Sequence, residues 1–317
     1  MSGNAAVGRR KKPPPPSRSS STEGDASPPS LEVLEQFSRA SLTRWKVAGR
    51  TLAALNNALF FGLESQRAEI ASALIDAVRL GVTRPFAFQD WARIVDWRYS
   101  AAPLSMAGSV RGDGGRFNIG YSLNPAAYSP FPALYLAEDF ETAYRERFGL
   151  TRGSTVGGLS AEEITLRRLT SFTHVKLRGA VDSVIDIGNP EALKALVSVI
   201  ARFKMPNNVL SMARALGRRP PGLIRTTSGL QRQLMQANWR VQPSQYDLPA
   251  NSQIFGRLCV AAGVHGILFP SAKDGSKRCL ALFPQNWRVS DSFVEIVGAP
   301  PSASSETRLD GSSDLRL

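Results

Sequence analysis

Apolar residues recur at helical spacing from Leu31 to about Leu80, in Leu31, Leu34 and Phe37 and again in Ile70, Leu74 and Val78, and Gly81 and Pro85 punctuate the end. Two or three helices are expected over 31–85. Beyond them the pattern changes to short segments rich in Gly, Pro, aromatic and β-branched residues. Ala133 to Ala137 reads as a buried strand, and Asp139 is placed to cap a helix running through Glu146 to about Phe148. The stretch from about 160 to 245 mixes a strand-like His174 to Leu177 with helical Glu191 to Phe203 and Asn208 to Leu216, and Pro220-Pro221 breaks the run. Ser252 to Ala262 reads as a helix closed by Gly263, followed by strands Gly266 to Phe269 and Leu280 to Phe283 with a turn at Asp274-Gly275. The pattern predicts an α+β chain, a helical section followed by mixed strands and helices.

The ends read differently. Residues 1–30 and 299–317 are rich in Pro and Ser and too poor in apolar residues to offset the entropy of ordering the chain, so both are expected to be disordered tails. Arg9-Arg10-Lys11-Lys12 is followed by prolines rather than an apolar run, which does not read as a secretory signal. The apolar stretch Leu52 to Leu63 contains Asn56 and Asn57 and is too short to span a bilayer. A cytoplasmic site of action is expected, with a specialised secretion route left open. Two cysteines, Cys259 and Cys279, and two histidines, His174 and His265, supply neither a disulfide framework nor a common zinc site, so no metal is expected.

Three stretches are unusual for structural filler: Asp96-Trp97-Arg98-Tyr99, Gly112-Asp113-Gly114-Gly115-Arg116-Phe117-Asn118, and Ala133 to Glu146. The glycines of the second allow a sharp turn and close approach to a ligand, and Arg116 presents a planar cationic fork suited to phosphate. This stretch matches neither a P-loop nor the dinucleotide fingerprint GxGxxG.

Taken in series, Gly-Gly-Arg-Phe-Asn, then Leu-Tyr-Leu-Ala with Glu146 eleven positions beyond Tyr135, then Gly-Ile-Leu-Phe-Pro-Ser271 and an Ala-Leu-Phe strand resemble the RES-domain family. The resemblance covers about 86–290, in blocks 93–148 and 250–287. It implies an ADP-ribosyltransferase-like fold, an α+β domain over 86–298 built on a mixed, twisted sheet and carrying a basic, largely helical insertion at about 155–245, and an enzyme that breaks the nicotinamide–ribose bond of NAD+, its substrate. In the family this appears as NAD+ degradation by water or phosphate (glycohydrolase or phosphorylase) or as ADP-ribosyl transfer to a protein. Many members are bacterial growth-inhibiting toxins neutralised by an antitoxin. By position, Arg98 and Arg116 match the family's arginines, Tyr135 its tyrosine, Glu146 its glutamate and Ser271 its serine. Glu146, Arg98, Tyr135 and Ser271 are thus the catalytic candidates, and Arg98, Arg116, Tyr135, Ser271 and Asn118 the NAD+-binding ones. The sequence departs from the family in carrying Cys279 where members commonly have Asn, and in the length between Glu146 and Ser271.

Chemistry supports the same residue types. Two arginines suit a pyrophosphate, Tyr135 a stacked nicotinamide, and Glu146 the positive charge that develops on the ribose as the bond breaks. Ser271 is read as a hydrogen-bonding group rather than a nucleophile, because no His-based triad is evident. His265 and Cys279 are read as structural.

The formal charge of +13, from 39 Lys and Arg against 26 Asp and Glu, first suggests a nucleic-acid partner. Resolved along the chain, residues 167–232 hold twelve Lys and Arg against three Asp and Glu, with only Phe172 and Phe203 as aromatics. Base stacking finds little support there. A basic nucleic-acid-binding module without catalysis is retained as an alternative, beside protein ADP-ribosylation. The expected partners are NAD+ and an acidic antitoxin or immunity protein, with a homo-oligomer left open.

Overall fold

The computed structural model describes residues 39–83, 85–124, 126–149, 171–300 and 306–315. The expected N-terminal tail, and Leu31, Leu34 and Phe37, lie outside these. The chain divides into a short unit ending at Val47 and a main unit from Ala48 to Leu317.

Among the described residues, two helices form the helical section. α1 (Arg39–Glu69) is followed at once by α2 (Ala71–Leu80), whose Leu74, Ala77 and Val78 recur at helical spacing and are buried. Within the main unit, Leu52, Leu55, Ala58 and Leu59 of α1 pack on Met205, Val209, Met212 and Ala213 around α5 (Asn207–Ala215). Glu64 accepts from both Arg67 and Arg257, which ties α1 to α8 (Asn251–Ala261).

Among the described residues, nine strands form one mixed sheet in the order β1 (Val82–Thr83), β7 (Val184–Asp186), β8 (Gly266–Pro270), β9 (Arg278–Leu282), β5 (Leu134–Ala137), β2 (Phe86–Asp96), β6 (Phe172–Val181), β10 (Phe293–Val297), β11 (Arg308–Asp310). Among the described residues only β7 and β8 are parallel. Strand periodicity sorts the side chains. Leu134, Leu136, Leu268, Leu280 and Leu282 join one buried layer with Leu177, Trp287 and Val294. Ala137, Ile267, Phe269, Cys279 and Ala281 join the other, under α2, α4 (Pro190–Ile200), α6 (Thr227–Leu234) and α8. Tyr135 belongs to this second face, and so does the candidate site. β2 is bulged: its register shifts between Phe88 and Trp91, and Asp90 takes a left-handed conformation at φ 58.

The structure revises two boundaries. β6 lies inside the region expected as an insertion, yet it pairs along its length with β2 and joins β2 to β10, so the sheet claims the first part of that region. Its side chains alternate, with Val175 and Leu177 buried and Lys176 and Arg178 exposed, a period that the flanking helical signals mask. The second revision concerns the expected C-terminal tail. Arg308–Asp310 forms the edge strand β11, because Leu309 is buried in the leucine-rich layer and Arg308 pairs with Glu295 and Asp310. Among the described residues no helix is long and apolar enough to cross a membrane, and no group of three or more His, Cys, Asp or Glu is placed to hold a metal.

Candidate active site

The glycine-rich stretch folds as a tight hairpin. β3 (Gly114–Gly115) pairs with β4 (Asn118–Ile119) and leaves Arg116 and Phe117 at the tip. Gly114 sits at φ +90, which favours glycine. Gly115 backs onto the sheet so closely that a Cβ there would lie 2.5 Å from both the Tyr135 hydroxyl and Asn118 Oδ1. Asn118 is fully buried and fixes the turn. Its Oδ1 accepts from Gly115 N and the Tyr135 hydroxyl, each at 2.9 Å, and its Nδ2 donates to Ser109 O at 2.8 Å and Phe131 O at 3.0 Å. A second buried carboxamide holds the hairpin from behind. Gln253 Nε2, on α8, donates to the carbonyls of Asp113 at 2.7 Å, Asn118 at 3.0 Å and Gly115 at 3.2 Å.

Helix α3 (Phe140–Phe148) delivers the carboxylate. Asp139 Oδ1 caps it by accepting from Thr142 N at 2.8 Å, and Gly149 ends it in a left-handed conformation at φ 74. Glu146, in the last turn, is half-buried beside the end of β8. Its Oε1 accepts from Ser271 Oγ at 2.6 Å, Ala272 N at 2.7 Å and Lys273 N at 3.3 Å. Its Oε2 has no hydrogen-bond partner among the described residues. Ser271 is held in turn, since its Oγ accepts from the amides of Lys273 and Asp274, each at 3.1 Å. Cys279 faces Ala137 on β5 and Phe269 on β8, close to Ser271 and Glu146. Burial pushes its thiol up, and the nearby Glu146 charge adds to the effect, so Cys279 is a neutral neighbour rather than a thiolate.

Arg116 approaches from the hairpin side. Its guanidinium donates to Gln236 O at 2.8 Å and Leu234 O at 3.4 Å and lies 6.0 Å from the centre of the Trp239 ring. Burial lowers its pKa and Glu146 and Tyr135 oppose that shift, which places all three groups within one electrostatic neighbourhood. Tyr135 is pinned through its hydroxyl, which donates to Asn118 and accepts from Phe117 N at 2.9 Å. Burial pushes the phenol up, against the pull of Phe117 N, Arg116 and Arg240. A hydroxyl that is both fixed and hard to ionise is no proton shuttle near neutral pH, and the half-buried ring is the part left for a ligand.

Four of the six residues singled out in the sequence, Glu146, Ser271, Arg116 and Tyr135, thus come together on one face of the sheet. Arg98 does not join them. It lies on a 3-10 turn (Trp97–Tyr99) where the chain leaves β2, with its side chain 71% exposed, paired with Asp96 at 3.7 Å and stacked on Tyr99 at 4.7 Å. Asn118 lies beside the four, with all four of its hydrogen-bonding positions satisfied inside the protein. His265 bonds Ser292 at 2.8 Å and His174 packs its ring at a tilt against Phe140 at 4.8 Å, so neither is placed as the base a nucleophilic serine would need.

Sequence reasoning missed three residues around the site. Gln253 occupies the third position of a helix, where it also accepts from Ala250 N, and the usual reading as a capping residue conceals its reach to the hairpin. Arg93, in β2, donates to Pro103 O and Ser105 O at 2.8 Å and to Tyr135 O at 3.2 Å, and burial, with the nearby Arg147 charge, pushes its pKa down to about 10. A single arginine in the otherwise apolar run Trp-Ala-Arg-Ile-Val was its signal. Arg240 stacks on Trp239 and acts on both Arg116 and Tyr135.

The sequence profile of the RES domain matches residues 90–302, a span that contains every group just described. The chain belongs to the RES-domain family. No curated protein matches it. Among solved structures, a chain of the crystal structure of the M. tuberculosis MbcT–MbcA toxin–antitoxin complex aligns with a TM-score of 0.41 at 15% identity, over 75% of this chain and 91% of that one.

Proposed function

We propose that this chain cleaves the nicotinamide–ribose bond of NAD+ and thereby acts as a growth-inhibiting toxin. The observation that carries the reading is the state of Glu146, with one carboxylate oxygen fixed by three donors and the other without a partner among the described residues. A carboxylate so oriented suits a reaction in which positive charge develops at the ribose. As the C1′–N bond breaks, its electron pair passes to the nicotinamide ring nitrogen, and the ribose takes on oxocarbenium character. Glu146 Oε2 stabilises that charge or holds the 2′-hydroxyl. Preorganised groups of this kind are worth roughly 3 to 4 kcal/mol each. Arg116 serves the pyrophosphate and the Tyr135 ring the nicotinamide. Ser271 acts on the reaction through Glu146, as a positioning residue.

Attack by water yields ADP-ribose, attack by phosphate a phosphorylated ADP-ribose, and attack by a protein side chain an ADP-ribosylated target. Degradation is favoured here. Product analysis after incubation with labelled NAD+, with and without phosphate and with added lysate, separates the three. Release of no nicotinamide under any condition refutes the proposal, and label retained on a protein band moves the assignment to transferase. An acidic antitoxin fits the segment 192–246, which holds nine Lys and Arg and no Asp or Glu. Action in the cytoplasm, where NAD+ is plentiful, is part of the same reading.

A further inference from the structure

Trp239, buried in the connection between α6 and α7 (Val241–Tyr246), has two guanidiniums near its ring. The Arg240 Cζ lies 4.5 Å from the centre of its ring and the Arg116 Cζ 6.0 Å. Neither arginine forms an ion pair among the described residues. Arg67, Arg79, Arg145, Arg147, Arg178 and Arg257 each face a carboxylate, and Arg93, Arg111 and Arg225 share the lack of one but lie away from the Trp239 ring in the contacts they make. The segment that carries Arg240 offers no counter-charge of its own, since no Asp or Glu occurs from 192 to 246. Two like charges held against one aromatic ring repel each other, and an anion placed between them relieves the repulsion. The planar fork of arginine suits the paired oxygens of a diphosphate.

We propose that Arg240 is a phosphate-binding residue of this site and forms with Arg116 a two-guanidinium clamp for the diphosphate of a dinucleotide. It takes the place that sequence position alone gives to Arg98. Arg98 is tied to Asp96 at the rim and contacts none of Arg116, Tyr135, Glu146 or Ser271 among the described residues. Arg116 is engaged by the carbonyls of Leu234 and Gln236, so the two halves of the clamp are joined through the same connection. The second cation therefore comes from the segment that lies between the two motif blocks of the sequence.

The clamp rests on the proposed NAD+ site, and its test reads binding and turnover separately. Inorganic pyrophosphate is titrated calorimetrically into the full chain at low ionic strength, and NAD+ kinetics are measured on the same preparations. Arg240→Gln is expected to weaken pyrophosphate binding about tenfold and to raise the KM for NAD+ by a similar factor, with kcat within about twofold of the parent. Arg240→Lys, which keeps the charge without the fork, is expected to fall between. Arg214→Gln, equally exposed on α5 and remote from Trp239 in sequence, controls for overall basicity and is expected to change neither quantity. Unchanged pyrophosphate affinity and KM in Arg240→Gln overturn the clamp, as does an equal loss in Arg214→Gln. If the parent binds pyrophosphate through Arg240 but consumes no NAD+, the clamp stands and the NAD+ reading falls. If NAD+ is consumed with an unaltered KM in Arg240→Gln, the reverse holds.

Discussion

Replacing Ser271 by Ala separates two roles that a serine beside a carboxylate can play. The substitution removes the O–H donor 2.6 Å from Glu146 Oε1 and leaves the amides of Ala272 and Lys273, at 2.7 and 3.3 Å, to hold the same oxygen. A hydrogen bond to a charged group is worth about 1.5 to 3 kcal/mol. With two of three donors retained, a loss of about 2 kcal/mol of transition-state stabilisation is expected, or roughly a thirtyfold fall in kcat. The KM should change little, because Glu146 acts on charge that appears only as the bond breaks. The assay is nicotinamide release under saturating NAD+, with a thermal melt of each preparation to show that the turn holding Lys273 and Asp274 persists. A nucleophilic serine would behave differently, since its loss costs on the order of a millionfold. A fall beyond about ten-thousandfold in a folded variant would show that Ser271 takes part covalently. A kcat within about threefold of the parent would show that Glu146 does not depend on it.

Other changes probe the neighbouring groups. Glu146→Gln keeps the size of the side chain and removes its charge, and should lower kcat by about 10² to 10³ with the melting temperature preserved; retained turnover would remove Glu146 from the mechanism. Gly115→Ala places a methyl 2.5 Å from the Tyr135 hydroxyl and Asn118 Oδ1 and should cost roughly 1 to 3 kcal/mol, a fall of several degrees in Tm, whereas an unchanged melt would show that the hairpin yields. His265 has its pKa lowered by burial, with Asp182 opposing. The unfolded chain therefore takes up this proton first as the pH falls, and stability that is fully present above about pH 6.5 is lost as the pH drops towards the lower folded value. Urea midpoints between pH 7.5 and 5.5 should show this slope, and His265→Gln should flatten it; an identical slope in the variant would assign the effect to other groups.

Local signals in the sequence were read well where local physics decides. The strand delivering Tyr135, the capped helix delivering Glu146 and the strand–turn carrying Ser271 are each defined by alternation, a cap or a turn within a few residues. What escaped depends on partners far along the chain. Gln253 meets carbonyls 135 to 140 positions away, and Arg116 meets the end of α6 at a separation of 118. No periodicity encodes such pairings. Asn118 and Arg98 show that residue type and position do not encode the partners a side chain meets: Asn118 bonds four groups of the hairpin and its surroundings, and Arg98 pairs with Asp96. Of β6 only His174 to Leu177 is legible in the sequence, because its exposed Lys176 and Arg178 match the basic helices that follow.

The two outermost strands of the sheet have a practical consequence. β1 and β11 are two and three residues long, and both lie outside the RES-matched span of 90–302. They cover the free sides of β7 and β10 and satisfy backbone groups that would otherwise be open to a second chain. A fragment cut to the matched span would expose both sides, and β10 would offer Val294, Ile296 and Val297 as a ready template for intermolecular pairing. Such a fragment should aggregate while the chain through Leu315 stays dispersed. These short terminal strands thus act as guards of solubility, and their removal is to be avoided when the protein is trimmed for crystallisation or expression.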